Sequence, residues 1–194
     1  MARTIVPSEL LQSTNNNIKI GDTALDSVDT TSPDTAADNI AIGNAALTAN
    51  LFGNDNVAIG SNALAANTTA SENTALGSQT LDANTTGAEN VALGYGALSA
   101  NTTASYNTAV GKSAASANTL GANNTAVGKG ALENDTKGSN SVAIGYQALN
   151  VQNFTTATDV LNVAVGYQAG VAVTTGKSNT FIGAESGKTN DTGE

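Results

Sequence analysis

The sequence predicts an all-β rod of about ten stacked coils, each coil being one repeat of the chain. Three observations carry this. A phrase of Asn, then Ile/Val/Thr, then Ala, then Ile/Leu/Val, then Gly recurs with single departures, as in Asn39-Ile40-Ala41-Ile42-Gly43 and Asn56-Val57-Ala58-Ile59-Gly60. Its glycines are Gly21, Gly43, Gly60, Gly77, Gly94, Gly111, Gly128, Gly145, Gly166 and Gly183, with steps of 22, then 17 six times, then 21 and 17. A period too short for a self-contained domain buries its faces only by stacking on copies of itself. Finally, the 194 residues include three Phe, four Tyr, one Met and no Trp. That set fills one globular core poorly but suits a rod that needs a few small core residues per coil.

The leader, residues 1–16, departs from the repeat, and the repeat rod runs over residues 17–194. Thr4-Ile5-Val6 offers a short strand to a partner's sheet edge, so Ile5 and Val6 are candidate interface residues. Pro7 to Leu11 reads as the start of a short helix capped by Ser8.

Within a coil, take the glycine as position zero. Aliphatic pairs at −3 and −1, such as Ile40/Ile42 and Val91/Leu93, read as a short strand with one buried face. The residue between them is Ala in eight of ten copies, Lys19 and Phe181 being the exceptions. Alanine there is not a β-propensity choice and points to a site where another backbone comes close. Gly43, Gly60, Gly77, Gly94, Gly111, Gly128 and Gly145 supply φ > 0 or close approach at the corner after the strand. Ala at +3 and Leu at +4, as in Ala63-Leu64 and Ala97-Leu98, form a second buried segment. Asn recurs at +7 (Asn50, Asn67, Asn84, Asn101, Asn118, Asn190) and at −4 in nine of ten copies, among them Asn39, Asn56, Asn73 and Asn90. Asn tolerates left-handed turns and stacks into amide ladders. Two inserts break the period: Asp26 to Asp38, with Pro33, and Asn150 to Leu161, with Phe154. Inserts bulge from one face of a solenoid, which makes Phe154 either a cover for the coil or an exposed contact.

Composition narrows function. With no Cys and no His, disulfides, thiolate sites and the common nucleophile–base pairs are absent. A net charge of −9 with seven Lys and Arg argues against nucleic acid as a partner. No apolar run approaches a membrane span, and the leader lacks the apolar stretch of a secretory signal. No cofactor is implied and no catalytic residue emerges. Asp38, Asp55, Glu72 and Glu89 occupy position −5 in four consecutive coils. Such a column of like charges is either a solvated stripe or a site for divalent cations. Tyr95, Tyr146 and Tyr167 share position +1, where Lys112 and Lys129 stand in other coils. They are read either as packing between coils or as an outward contact strip. An ice-binding face would need a regular Thr column, but Thr74, Thr108, Thr125 and Thr180 are interleaved with Val and Ile.

Asn140-Ser-Val-Ala-Ile-Gly145 and the phrases Asn107 to Gly111 and Asn124 to Gly128 resemble the head repeats of trimeric autotransporter adhesins of the YadA type. Gly145-Tyr-Gln-Ala-Leu149 resembles repeats of bacteriophage fibre and virion proteins. The resemblance implies a left-handed parallel β-roll assembled as a homotrimer. It also offers an account of the alanines, in which three thin coils share one core. The 17-residue period exceeds the adhesins' shorter one. The chain also shows neither a heptad stalk nor a membrane barrel. The expectation is therefore a virion structural protein (a trimeric fibre, spike or capsid decoration) assembled in host cytoplasm and docked through residues 1–16. The alternative is a receptor-binding adhesin or tail fibre that recognises a host-surface glycan or protein.

Overall fold

The structure, a computed structural model, describes residues 14–27 and 36–189. Ile5, Val6 and Asn190 lie outside these residues, as do most of the leader and part of the first insert, including Pro33.

Ten three-residue strands form one parallel sheet in chain order. They are β1 (Ile18–Ile20), β2 (Ile40–Ile42), β3 (Val57–Ile59), β4 (Thr74–Leu76), β5 (Val91–Leu93), β6 (Thr108–Val110), β7 (Thr125–Val127), β9 (Val142–Ile144), β11 (Val163–Val165) and β12 (Thr180–Ile182). The short pair β8 (Gly138–Ser139) and β10 (Thr158–Asp159) adds a second, two-stranded sheet beside the later insert. Every pairing in the main sheet keeps the repeat register, Ile40 beside Val57 and Ala41 beside Ala58. The fold is thus an all-β parallel solenoid, and at ~4.8 Å per strand its sheet is about 43 Å long.

The pleat runs opposite to the expectation for the aliphatic pairs. Ala41, Ala58, Ala75, Ala92, Ala109, Ala126, Ala143 and Ala164 are fully buried, while the residues at −3 and −1 face outward, half-buried or exposed. The alternation of a strand allows only one of the two sets inside. Alanine wins that place because the coil is flat and the leucines fill it from the other side. Leu47, Leu64, Leu81, Leu98, Leu132 and Leu149 join the alanines in one continuous core. The account of the alanines by a core shared among three chains is therefore overturned: one chain buries them completely.

Corners come from backbone conformations that the residue types conceal. Non-glycine residues adopt left-handed φ at −5, +2 and +4 in coil after coil, for instance Asp55 (φ 57), Asn62 (φ 58) and Leu64 (φ 52). The position-zero glycines have φ from 113 to 141, which only glycine reaches comfortably. A Cβ on Gly111 would sit 2.7 Å from the carbonyl carbon and oxygen of Gly128. These glycines form a column of touching backbones, as expected from φ > 0 and close approach together.

Two Asn columns satisfy the polar interior. Asn56 Nδ2 donates to Asn39 Oδ1 at 3.1 Å, and Asn90 Nδ2 to Asn73 Oδ1 at 3.1 Å. In the +7 column Asn67 donates to Asn50 at 3.0 Å and Asn101 to Asn84 at 2.9 Å. Both columns also converge on one carbonyl per coil: Ala104 O accepts from Asn90 at 2.9 Å and from Asn101 at 3.0 Å. Among the described residues no buried side-chain polar atom lacks a partner. The amide ladders expected from Asn are present.

Candidate interaction faces

The first candidate surface is the outward face of the ten-stranded sheet. Because alanine takes the inside, Val91 and Leu93 are each 41% exposed, Ile18 and Ile20 about as much, and Ile182 is 70% exposed. The strip is flat, apolar and periodic, interrupted only by Thr74, Thr108, Thr125 and Thr180. A contiguous apolar strip on a folded chain is a candidate docking surface. Sequence reasoning missed it because it assigned these aliphatics to the core.

Two columns flank that face. Before the strand, at −5, stand Asp38, Asp55, Glu72 and Glu89, all exposed and all left-handed in φ. Asp38 Oδ1 accepts from Asn16 Nδ2 at 3.1 Å, which ties the end of the leader to the next coil. Among the described residues no group of three or more acidic side chains converges to hold a metal ion. These four read as corner residues with solvated carboxylates; Asp tolerates that conformation, and Glu72 and Glu89 hold it against their own preference.

After the strand, at +1, Tyr95, Lys112, Lys129, Tyr146 and Tyr167 occupy five consecutive coils, all exposed. Tyr146 and Tyr167 stack with ring centroids 5.4 Å apart and planes 11° apart. Lys112 Nζ lies 5.7 Å from the Tyr95 ring centroid, and Lys129 Nζ lies 5.7 Å from that of Tyr146. The alternatives of packing and outward display are met together: the side chains pack along the column and stay wet.

Phe154 does not belong with the interface candidates. It is buried, its N–H donating to Asp135 Oδ1 at 3.0 Å and its carbonyl accepting from Thr136 Oγ1 at 2.9 Å. The insert folds inward because the coil beneath it needs an apolar cover. Around it the ladder changes chemistry. Asp135 takes the +7 place of Asn, and its Oδ2 accepts from Gln152 Nε2 at 2.6 Å. Gln152 also donates to Ser141 Oγ at 3.3 Å and accepts from Asn162 Nδ2 at 2.8 Å. One side chain thus bridges the two columns where Ser141 is too short to continue its own.

No family model matches this chain, and neither the curated proteins nor the solved structures give a match. The functional reading therefore rests on the motif and on these surfaces. Among the described residues no helix is long and apolar enough to cross a membrane.

Proposed function

We propose that the chain is a non-enzymatic virion structural protein, a fibre, spike or capsid decoration whose rods assemble as a homotrimer. The observation that supports this most is the outward aliphatic strip on a chain that already buries its own core. A strip about 43 Å long and 10 Å wide, set by ten strands of three residues, offers roughly 400 Å². That is about half of one partner's share in a standard interface, so surface beyond the strip, on the side away from the +1 column, supplies the rest. A narrow strip suits several copies around a common axis better than two broad faces. Identical copies suit it best, because every strand then meets a strand of the same period. The virion assignment comes from the resemblance of Gly145 to Leu149 and its fellow repeats to phage fibre motifs.

Light scattering on the purified chain is the direct test. A trimer that becomes a folded monomer in Val91→Ser/Leu93→Ser/Val110→Ser, with the β spectrum retained, supports the assembly. A wild-type monomer at micromolar concentration sinks it. Virion docking is tested by deleting residues 1–13, leaving Asn15 O to accept from the Asp38 N–H at 2.9 Å and Asn16 Nδ2 to donate to Asp38 Oδ1 at 3.1 Å. Loss of the protein from particles, with the trimer intact, is the expected result.

The second reading, a receptor-binding adhesin, is favoured by one observation, the exposed Tyr and Lys column at +1.

A further inference from the structure

We propose that the +1 column, Tyr95-Lys112-Lys129-Tyr146-Tyr167, binds a linear carboxylated polysaccharide laid along the rod axis. This rests on the receptor-binding reading and not on trimerisation, since the column is complete within one chain.

Charge is the first argument. The chain carries a net charge of −9, yet Lys112 and Lys129 stand side by side in adjacent coils. Among the described residues the one ion pair is Lys188 with Glu185 at 3.0 Å, so neither ammonium has a carboxylate in reach. Lys112 reaches back to Tyr95 and Lys129 forward to Tyr146, so a chain of carboxylates along the rod meets two separate ammonium groups and gains charge-assisted hydrogen bonds at each.

Geometry selects the kind of anion. The Tyr146 and Tyr167 rings cover each other, and ammonium groups lie over Tyr95 and Tyr146. All three tyrosines of the column are exposed. The phenol hydroxyls are hydrogen-bond partners for sugar hydroxyls. Beside the tyrosines, Gln147 and Gln168 add an amide ladder, Gln168 Nε2 donating to Gln147 Oε1 at 3.0 Å. The column repeats every coil, ~4.8 Å, while an extended peptide returns to the same face only every ~6.6 Å. One coil is close to the length of one pyranose unit, so a uronic-acid chain keeps step where a peptide drifts.

The test is calorimetric titration of the full chain with oligomers of galacturonate, mannuronate and glucuronate, with the galacturonate methyl ester and an oligothymidylate as competitors in kind. Binding of at least one uronate is expected, with the ester bound at least tenfold more weakly. Lys112→Gln/Lys129→Gln is expected to weaken it at least tenfold, and Tyr146→Ala/Tyr167→Ala severalfold, with unchanged circular dichroism; Lys177→Gln, off the column, leaves it unaltered. Absence of binding by all three uronates overturns the proposal. So does equal binding of the ester or the oligothymidylate, or indifference to the double lysine variant. Adsorption to host cells by the same variants is read separately. Retained adsorption with lost uronate binding removes the receptor reading and leaves the site.

Discussion

The coils from Gly60 to Gly111 and the stretch from Gly128 through the later insert solve the same problem with different residues. In the regular coils each turn adds one Asn at −4 and one at +7, and their amides repeat the bonds of the coil before. In the irregular stretch Asp135, Ser141 and Gln152 replace three such Asn, yet every buried side-chain polar atom there stays paired. What the interior requires is therefore satisfied hydrogen bonding, not asparagine. The regular ladder is a translation of one solution, and the irregular stretch is a separately fitted one.

The glycine column runs through both regions and sets the largest expected effect. Gly111→Ala forces a Cβ to within 2.7 Å of the Gly128 carbonyl at φ 133, and neither backbone can yield without breaking the strand register. It should cost at least about 3 kcal/mol, seen as a lower urea midpoint. Gly96→Ala is the control. That residue has φ 66 and nothing within 4 Å of the added carbon, so the loss should be about 1 kcal/mol. Equal losses would show that conformation alone, not backbone contact, makes the column invariant across the two regions.

Next comes the regular ladder. Asn90→Ala removes the acceptor of the Asn107 N–H, bonded at 2.9 Å, and one of the two donors to Ala104 O. A buried N–H left unpaired, together with a lost side chain, should cost about 3 kcal/mol by denaturant titration. A loss under about 1 kcal/mol would mean that water enters the coil, and the ladder would not be the reason for the Asn.

Much of this was legible in the sequence, and the illegible part has a physical cause. The period fixed the coil count and the parallel register, because a glycine every 17 residues leaves no other stacking. Asn at two fixed places announced the ladders. Which face of Ile40-Ala41-Ile42 turns inward was not legible, because a three-residue strand carries too little alternation to decide it. Only the width of the coil, set by leucines such as Leu47 across the interior, excludes the larger pair. The left-handed corners were hidden as well. Leu64 and Glu72 are poor residues for that conformation, and they hold it through inter-coil bonds, Leu64 N to Thr80 O at 3.0 Å and Glu72 N to Asn54 O at 3.0 Å. The outward apolar strip was missed by the same inversion of the pleat.

Asp135→Asn puts the ladder's own residue into the irregular stretch, and it should still destabilise. Asp135 Oδ1 accepts from the Gly138 and Phe154 N–H groups, each at 3.0 Å, and Oδ2 accepts from Gln152 Nε2. An amide keeps one oxygen, so its Nδ2 would face the Gln152 Nε2. Turning Gln152 over moves the conflict to Asn162 Nδ2, which now donates to Gln152 Oε1. One donor–donor clash survives either way, and the loss should be about 1–3 kcal/mol in thermal or urea unfolding. A stabilised variant would break the comparison, since it would show the irregular stretch to be a degraded copy of the regular one.

The smallest effect lies back in the regular region, at position +5, where Thr48, Ala65, Ser99 and Ser116 share a column with Asp82. Burial raises the Asp82 carboxyl above its ordinary value, against a smaller lowering by backbone hydrogen bonds from Asp82 and Ala83. A carboxyl raised on folding is held in its protonated form more tightly by the folded chain than by the unfolded one. Its contribution to stability is therefore best at low pH and falls as pH climbs from the unfolded value through the raised one. Asp82→Ser, which matches its column, should thus gain a few tenths of a kcal/mol near neutral pH. That gain should shrink as the pH drops into the acid range. Melting curves of both proteins across that range check the sign. A variant advantage that grows toward acid pH would mean the carboxylate, rather than the acid, is what this coil prefers.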